Sequence, residues 1–241
     1  MKLSALRSRL SNKTALITGG NRGIGLAIAK ALAAEGCNLI ITSRDQLSLK
    51  KAAHQLGNNT VPIACDVRDA TSVEKLFAAV KNRFQHLDIL INNAGVAHAN
   101  LKIDQLPVET WKEIIDTNLT AMFLVTRAAL PLMKRGAAIV NNLSIAAKRV
   151  FPGSSAYNAS KHGALGFTNT LREEVRNRGI RVIALMPGAT DTDIWRTFWP
   201  QAPRKKMMSP ATVAQAVVNG LTLPEDGCVE ELVILPRTGT L

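Results

Sequence analysis

Aromatic residues are scarce in this chain. Phe, Trp and Tyr make up 4% of 241 residues, and there is one tyrosine. RNA readers that stack bases on interleaved aromatics are therefore excluded, and zinc-finger spacing and basic-region heptads are missing too. Cysteine is rare and odd in number, with Cys37, Cys65 and Cys228 far apart. That rules out a disulfide framework and suits a reducing compartment, where thiols in or beside strands serve as small apolar groups. No apolar run is long enough to cross a bilayer. The opening MKLSALRSRL has basic residues but no signal-peptide core, so a cytoplasmic location is expected, with Leu3, Leu6 and Leu10 sharing one face of a short helix. His54, His86, His98 and His162 lack compact ligand spacing, so no metal is expected. Acidic residues are outnumbered, 18 against 30 basic, for a formal charge of +12. Such a field serves solubility or draws a phosphorylated cofactor or an acidic substrate carrier; nucleic acid and membrane partners are not expected.

Strand-like and helix-like segments alternate along the whole chain. Strands are expected at 13–18, 37–43, 60–65, 88–92, 137–143, 180–185 and 232–235. Helices are expected at 23–35, 45–56, 71–84, from Pro107 to about Lys134, at 155–178 and at 210–221. The strands read as continuous branched apolar runs, as in a parallel sheet covered on both faces. The expected fold class is therefore α/β: one doubly wound domain over residues 1–241, with a mainly parallel sheet of seven strands. The irregular stretch 187–209 follows a strand's carboxyl end, where such folds bind ligands, and is read as a cover over the substrate.

The first strand runs into TGGNRGIG, residues Thr18 to Gly25. Gly19 permits the turn, while Gly23 and Gly25 allow close approach to phosphate and sheet. The next helix points its amino end at a pyrophosphate. Thr18, Gly19, Asn21, Arg22, Gly23, Ile24 and Gly25 thus form a candidate dinucleotide loop. The second strand ends in Thr42, Ser43 and Arg44, without the acid that usually binds a free ribose. Arg44, with Arg22, suits the 2′-phosphate of NADP(H), and Asp45 is read as a helix cap. Asp66, followed by Val67, can accept from an adenine amino group or serve as a strand-end turn. Asn92, Asn93, Ala94 and Gly95 follow the fourth strand and either leave room for a cofactor or tie loops together.

Tyr157 and Lys161 lie four apart on one helix, so they share a face, and a nearby ammonium is expected to lower the tyrosine pKa. Ser144 follows the fifth strand and reaches the same side of the sheet; no glycine-framed elbow surrounds it, which sets aside serine hydrolysis. Asn118 lies in the long helix, where its amide can hold a kink or an ordered water.

These motifs in this order resemble the short-chain dehydrogenase/reductase family: TGGNRGIG, Asp66–Val67, NNAG at 92–95, Asn118, Ser144, YNASK at 157–161, and Pro187–Gly188 with Thr192. The resemblance implies that Tyr157 protonates a carbonyl oxygen as hydride arrives from NADP(H), or takes the alcohol proton in reverse. It implies that Lys161 holds the nicotinamide ribose, Ser144 orients the substrate oxygen, Asn118 positions a relay water and Thr192 holds the carboxamide. The chain departs from the family pattern at Ile145 and Ala147 and in its ending, ELVILPRTGTL. A homodimer through the two long helices or a homotetramer is implied. The partner is a small carbonyl or alcohol substrate, with a 3-oxoacyl chain on an acyl carrier as one subcase, since Arg135 and Arg178 resemble carrier-docking arginines. Trp195, Phe198 and Trp199, beside Arg196 and Arg204–Lys206, either line an apolar pocket with a charged rim or pack the loop on itself. The rival reading is a non-catalytic NADP-binding sensor.

Overall fold

A computed structural model describes residues 8–224 and 226–240, so Leu3 and Leu6 lie outside it. Seven strands form one sheet: β1 (Thr14–Thr18), β2 (Asn38–Ser43), β3 (Thr60–Ala64), β4 (Ile89–Asn92), β5 (Ala138–Asn142), β6 (Arg181–Pro187) and β7 (Glu231–Ile234). Their order is β3-β2-β1-β4-β5-β6-β7, every pair parallel. This is the Rossmann arrangement that the apolar runs anticipate.

Successive residues of the central strands feed opposite layers. Ala15 and Ile17, Ile89 and Ile91, and Ala138 and Val140 pack on one side, with α1 (Gly23–Ala34), α2 (Gln46–Leu56) and α8 (Pro210–Leu221). Leu16, Leu90 and Ile139 face the other, with α3 (Ala70–Phe84), α5 (Ala121–Ala129) and α6 (Ser155–Arg176). Each fully buried Leu or Ile contributes roughly 1.5–3 kcal/mol, so both faces must be covered. The edge strands alternate instead. β7 reads exposed and half-buried in turn, and β3 tolerates Pro62, whose missing N–H would break a central ladder.

The helix expected from Pro107 to Lys134 is interrupted. It comprises α4 (Val108–Ile115), a wide π turn at Asp116–Thr120, α5, and a 3₁₀ turn at Leu130–Leu132. Asn118 lies in the π turn, 1% exposed. The stretch after β6 holds a short helix, α7 (Trp195–Phe198), and a 3₁₀ turn at Arg204–Lys206. Its neck is stitched where Asp191 N donates to Met208 O at 2.8 Å and Met208 N to Ala189 O at 3.0 Å. The order in which the chain adds strands reverses between β1 and β4, and at such a switch point the carboxyl ends of the strands leave a crevice.

Candidate active site

A cleft of about 880 Å³ crosses these carboxyl ends. At β1 the chain must turn sharply before α1, and Gly19 does so at φ +63°. Gly25 serves packing: a Cβ there would stand 2.4 Å from both Asn93 Nδ2 and Gly19 O. α1 begins without a capping side chain and without an acid in its first turn, so its amino end is left to an anion.

The frame beneath the cleft is a relay of side-chain amides. Thr18 Oγ1 accepts from the main-chain N–H groups of Asn93 (2.9 Å) and Ala94 (3.0 Å). Asn93 Nδ2 donates to Thr18 O and Gly19 O, which leaves its Oδ1 to accept from Asn142 Nδ2 at 2.9 Å. Asn92 joins Thr126 of α5 to Asn141, and Asn141 donates to Thr168 of α6. The glycine loop and α6 are thereby held in one rigid register.

Most of the residues singled out in the sequence line this cleft. At one end are Gly19, Asn21, Arg22, Gly23, Ile24, Ser43, Arg44, Asp66 and Val67; Asn93, Ala94 and Gly95 also line it, as do Ser144, Tyr157, Lys161, Pro187, Gly188 and Thr192. Three stand behind it. Thr18 and Gly25 belong to the frame just described. Asn118 clamps the backbone of Val96, accepting from its N–H at 2.8 Å and donating to its carbonyl at 2.9 Å, and also donates to Ser160 Oγ at 3.1 Å.

Asp45 caps α2, accepting from Leu47 N and Ser48 N, and these bonds with Ser48 hold its carboxyl below the ordinary range. Among the described residues neither Arg22 nor Arg44 has an ion-pair partner within 4 Å. Arg68 was not anticipated. Its Nε and Nη2 grip both oxygens of Asp66, the shorter contact being 2.7 Å, and its own N–H donates to Asp66 Oδ1. Asp66 is thus already engaged rather than a bare acceptor for adenine. The signal was its spacing, two residues after an acid in a strand-end loop.

At the other end Lys161 is 5% exposed, with Nζ 5.6 Å from the centre of the Tyr157 ring and donating to Asn142 O at 3.2 Å. Burial lowers its pKa to about 8. The expected fall in the Tyr157 pKa does not occur. Burial raises it above 10, and the Ser144 hydroxyl is the influence that pulls it back. Loss of water around the phenol sets the direction of the shift.

Phe198 of α7 faces Tyr157, while Arg204 pairs with Asp191 and Arg196 with Asp193. Arg178 donates to Leu130 O and Met133 O, and Arg135 to Asn177 O, so both proposed carrier-docking arginines are tied to main-chain carbonyls. Among the described residues no cluster of His, Cys, Asp or Glu is suited to a metal, and no helix is long and apolar enough to cross a membrane.

A parallel sheet with a glycine-turned crevice at its switch point, and a Ser–Tyr–Lys group at one end, defines a Rossmann-type oxidoreductase. The chain belongs to the short-chain dehydrogenase family, whose profile matches residues 13–203. It is similar to a 3-oxoacyl-[acyl-carrier-protein] reductase of Vibrio cholerae, 34% identical over 218 residues, 86% of this chain and 89% of the relative. An alcohol dehydrogenase of Thermococcus sibiricus, solved with 5-hydroxy-NADP, superposes with a TM-score of 0.87 at 33% identity, covering 94% of this chain and 97% of that one. A 3-ketoacyl-(acyl-carrier-protein) reductase of Brucella melitensis, solved with NADH, gives 0.87 at 28% identity, covering 95% and 98%.

Proposed function

We propose that the chain interconverts a ketone and a secondary alcohol with NADP(H), Tyr157 giving and taking the proton at the substrate oxygen. The observation that carries this reading is the convergence of Ser144, Tyr157 and Lys161 at one end of a cleft whose other end presents Arg22 and Arg44. The cofactor, when bound, supplies the hydride. The chain fits it: the uncapped start of α1 would take the pyrophosphate, and a Cβ on Gly23 would crowd Thr192 at 3.3 Å across the cleft. One structural relative holds an NADP derivative and the other NADH, so the preference is argued from this chain's own residues. Two cations with no ion-pair partner among the described residues, and an acid turned aside to cap α2, favour the phosphorylated form.

The Ser144 hydroxyl donates to the substrate oxygen and fixes it beside the phenol. A phenol is protonated at neutral pH, the form that donates during reduction, and burial pushes its pKa further up. In oxidation the phenol first loses its proton, and the Lys161 ammonium favours the resulting phenolate. Asn118 spends its amide on Val96 and Ser160, so its side chain serves this reading by fixing the backbone beside Lys161 rather than by holding a relay water. Residues 187–209, closed at the neck, cover the substrate within what we take as one domain. A carrier-linked 3-oxoacyl substrate draws its support from the Vibrio relative's name. A second copy is assigned to the α5–α6 face, where Phe123 stays 44% exposed while meeting Phe167 edge-on.

Y157F tests the reading. It preserves the ring and removes the transferable proton, so turnover falls by roughly 10²-fold or more while NADPH affinity changes little. Turnover near the parent's would refute it.

A further inference from the structure

The substrate end of the cleft is walled by aromatic rings. Phe198 stands with its ring centroid 5.8 Å from that of Tyr157, tilted by 49°. Trp195 meets Phe198 edge-on at 5.6 Å, and its Nε1 donates to Thr190 O at 2.8 Å, so the ring that supports Phe198 is itself pinned to the loop's neck. Phe151 and Ile145 line the wall beyond Ser144. The basic side chains of the same loop point elsewhere. Arg204 and Arg196 are paired with Asp191 and Asp193, and neither they nor Lys205 and Lys206 line the cleft. The charged loop residue that does line it is Asp193. An anionic substrate would therefore meet no unpaired cation from this loop, whose cleft-lining charge, Asp193, is itself held by Arg196.

We propose that this end of the cleft takes a neutral, ring-bearing ketone or its alcohol, and that Phe198 is the side chain that selects it. The proposal rests on Tyr157 as the acid–base group, because Phe198 gains its leverage by standing beside that ring. A flat ring laid against Phe198 makes the offset or edge contact that aromatic pairs prefer and sheds water from its faces. A linear acyl thioester offers no such face. A carboxylate there would lose hydration against the aromatic walls with no loop cation to pair with.

Three substrates separate these cases with the full chain and NADPH: ethyl benzoylformate (neutral, with a ring), benzoylformate (the same ring with a charge) and acetoacetyl-N-acetylcysteamine (neutral and linear). The expected kcat/KM for the ring ester exceeds the other two by about tenfold or more. In Phe198→Ala and Phe198→Leu the preference for ring ester over linear thioester falls about tenfold, chiefly through KM, and Phe198→Tyr restores it. NADPH affinity is measured in parallel by its fluorescence. A parent that binds NADPH but turns over the thioester as well as the ring ester, or leaves the ring ester untouched, overturns the proposal. So does an equal loss for both neutral substrates in Phe198→Ala. A parent that binds no NADPH overturns the cofactor reading beneath it, and the proposal with it.

Discussion

Replacing Lys161 by Met should make the protein more stable at neutral pH while stopping its chemistry. The lysine is 5% exposed, donates to one main-chain carbonyl, and has its pKa drawn from 10.5 to about 8 by burial. The folded value lies below the unfolded one, so between about pH 8 and 10.5 the unfolded chain holds more protons and stability rises with pH. Below that window the full cost of the buried charge is present. At about 1.4 kcal/mol per pH unit, 10.5 minus about 8 comes to about 3 kcal/mol. Methionine keeps the unbranched stem but leaves Asn142 O without its donor, which costs about 1–2 kcal/mol. The net gain is then about 1–2 kcal/mol at pH 7, or about 2–8 °C in Tm for a chain of this size. Thermal melts of parent and variant, followed by circular dichroism without cofactor from pH 7 to 10, read this directly. The gain should shrink as pH rises, because the parent's lysine sheds its charge. A K161M protein less stable than the parent at pH 7, or a gain that persists unchanged to pH 10, refutes the reasoning.

R44A should weaken NADPH binding by roughly tenfold to a hundredfold and barely alter NADH, since one charge-assisted contact is worth roughly 1.5–3 kcal/mol; calorimetric titration with both cofactors decides, and equal losses would remove Arg44 from the phosphate site. Gly25→Ala puts a methyl 2.4 Å from Asn93 Nδ2 and from a main-chain oxygen. It should cost about 1–3 kcal/mol in urea unfolding and loosen cofactor binding as well, whereas an unaltered midpoint would show the contact to be slack. The raised Tyr157 pKa predicts that reduction holds through neutral pH while alcohol oxidation climbs on the alkaline side. Initial rates in both directions across pH test this, and an oxidation rate already flat at pH 7 would contradict it.

The sheet was readable because strands covered on both faces announce themselves as unbroken apolar runs. Each expected strand lies within two residues of its observed bounds, as at 137–143 against Ala138–Asn142. The glycine loop and the Tyr–Lys spacing were legible for a similar reason, being fixed offsets within one element. The break in the long helix was legible only as a possible kink at Asn118, because a π turn inserts a single residue and disturbs apolar spacing too little to show its extent. The Asp66–Arg68 fork was missed because two nearby loop residues carry no periodicity. The orientation of Arg135, Arg178 and Arg204 depended on which carbonyls and acids the fold brought near them. The direction of the Tyr157 shift needed burial depth, which a helical spacing of four does not supply. The open choice for Trp195 and Phe198 resolves as both alternatives at once: the rings pack on each other and line the cleft.

The position of β4 has a consequence for synthesis. Strands β1, β2 and β3 leave the ribosome first and can pair in that order, yet the other edge of β1 finds its partner only when Ile89–Asn92 arrives. Thr18 waits for an asparagine 75 residues downstream to satisfy its hydroxyl and carbonyl. Throughout that interval the nascent chain presents the bare edge of what becomes the most deeply enclosed part of the sheet, open to mispairing with any other strand nearby.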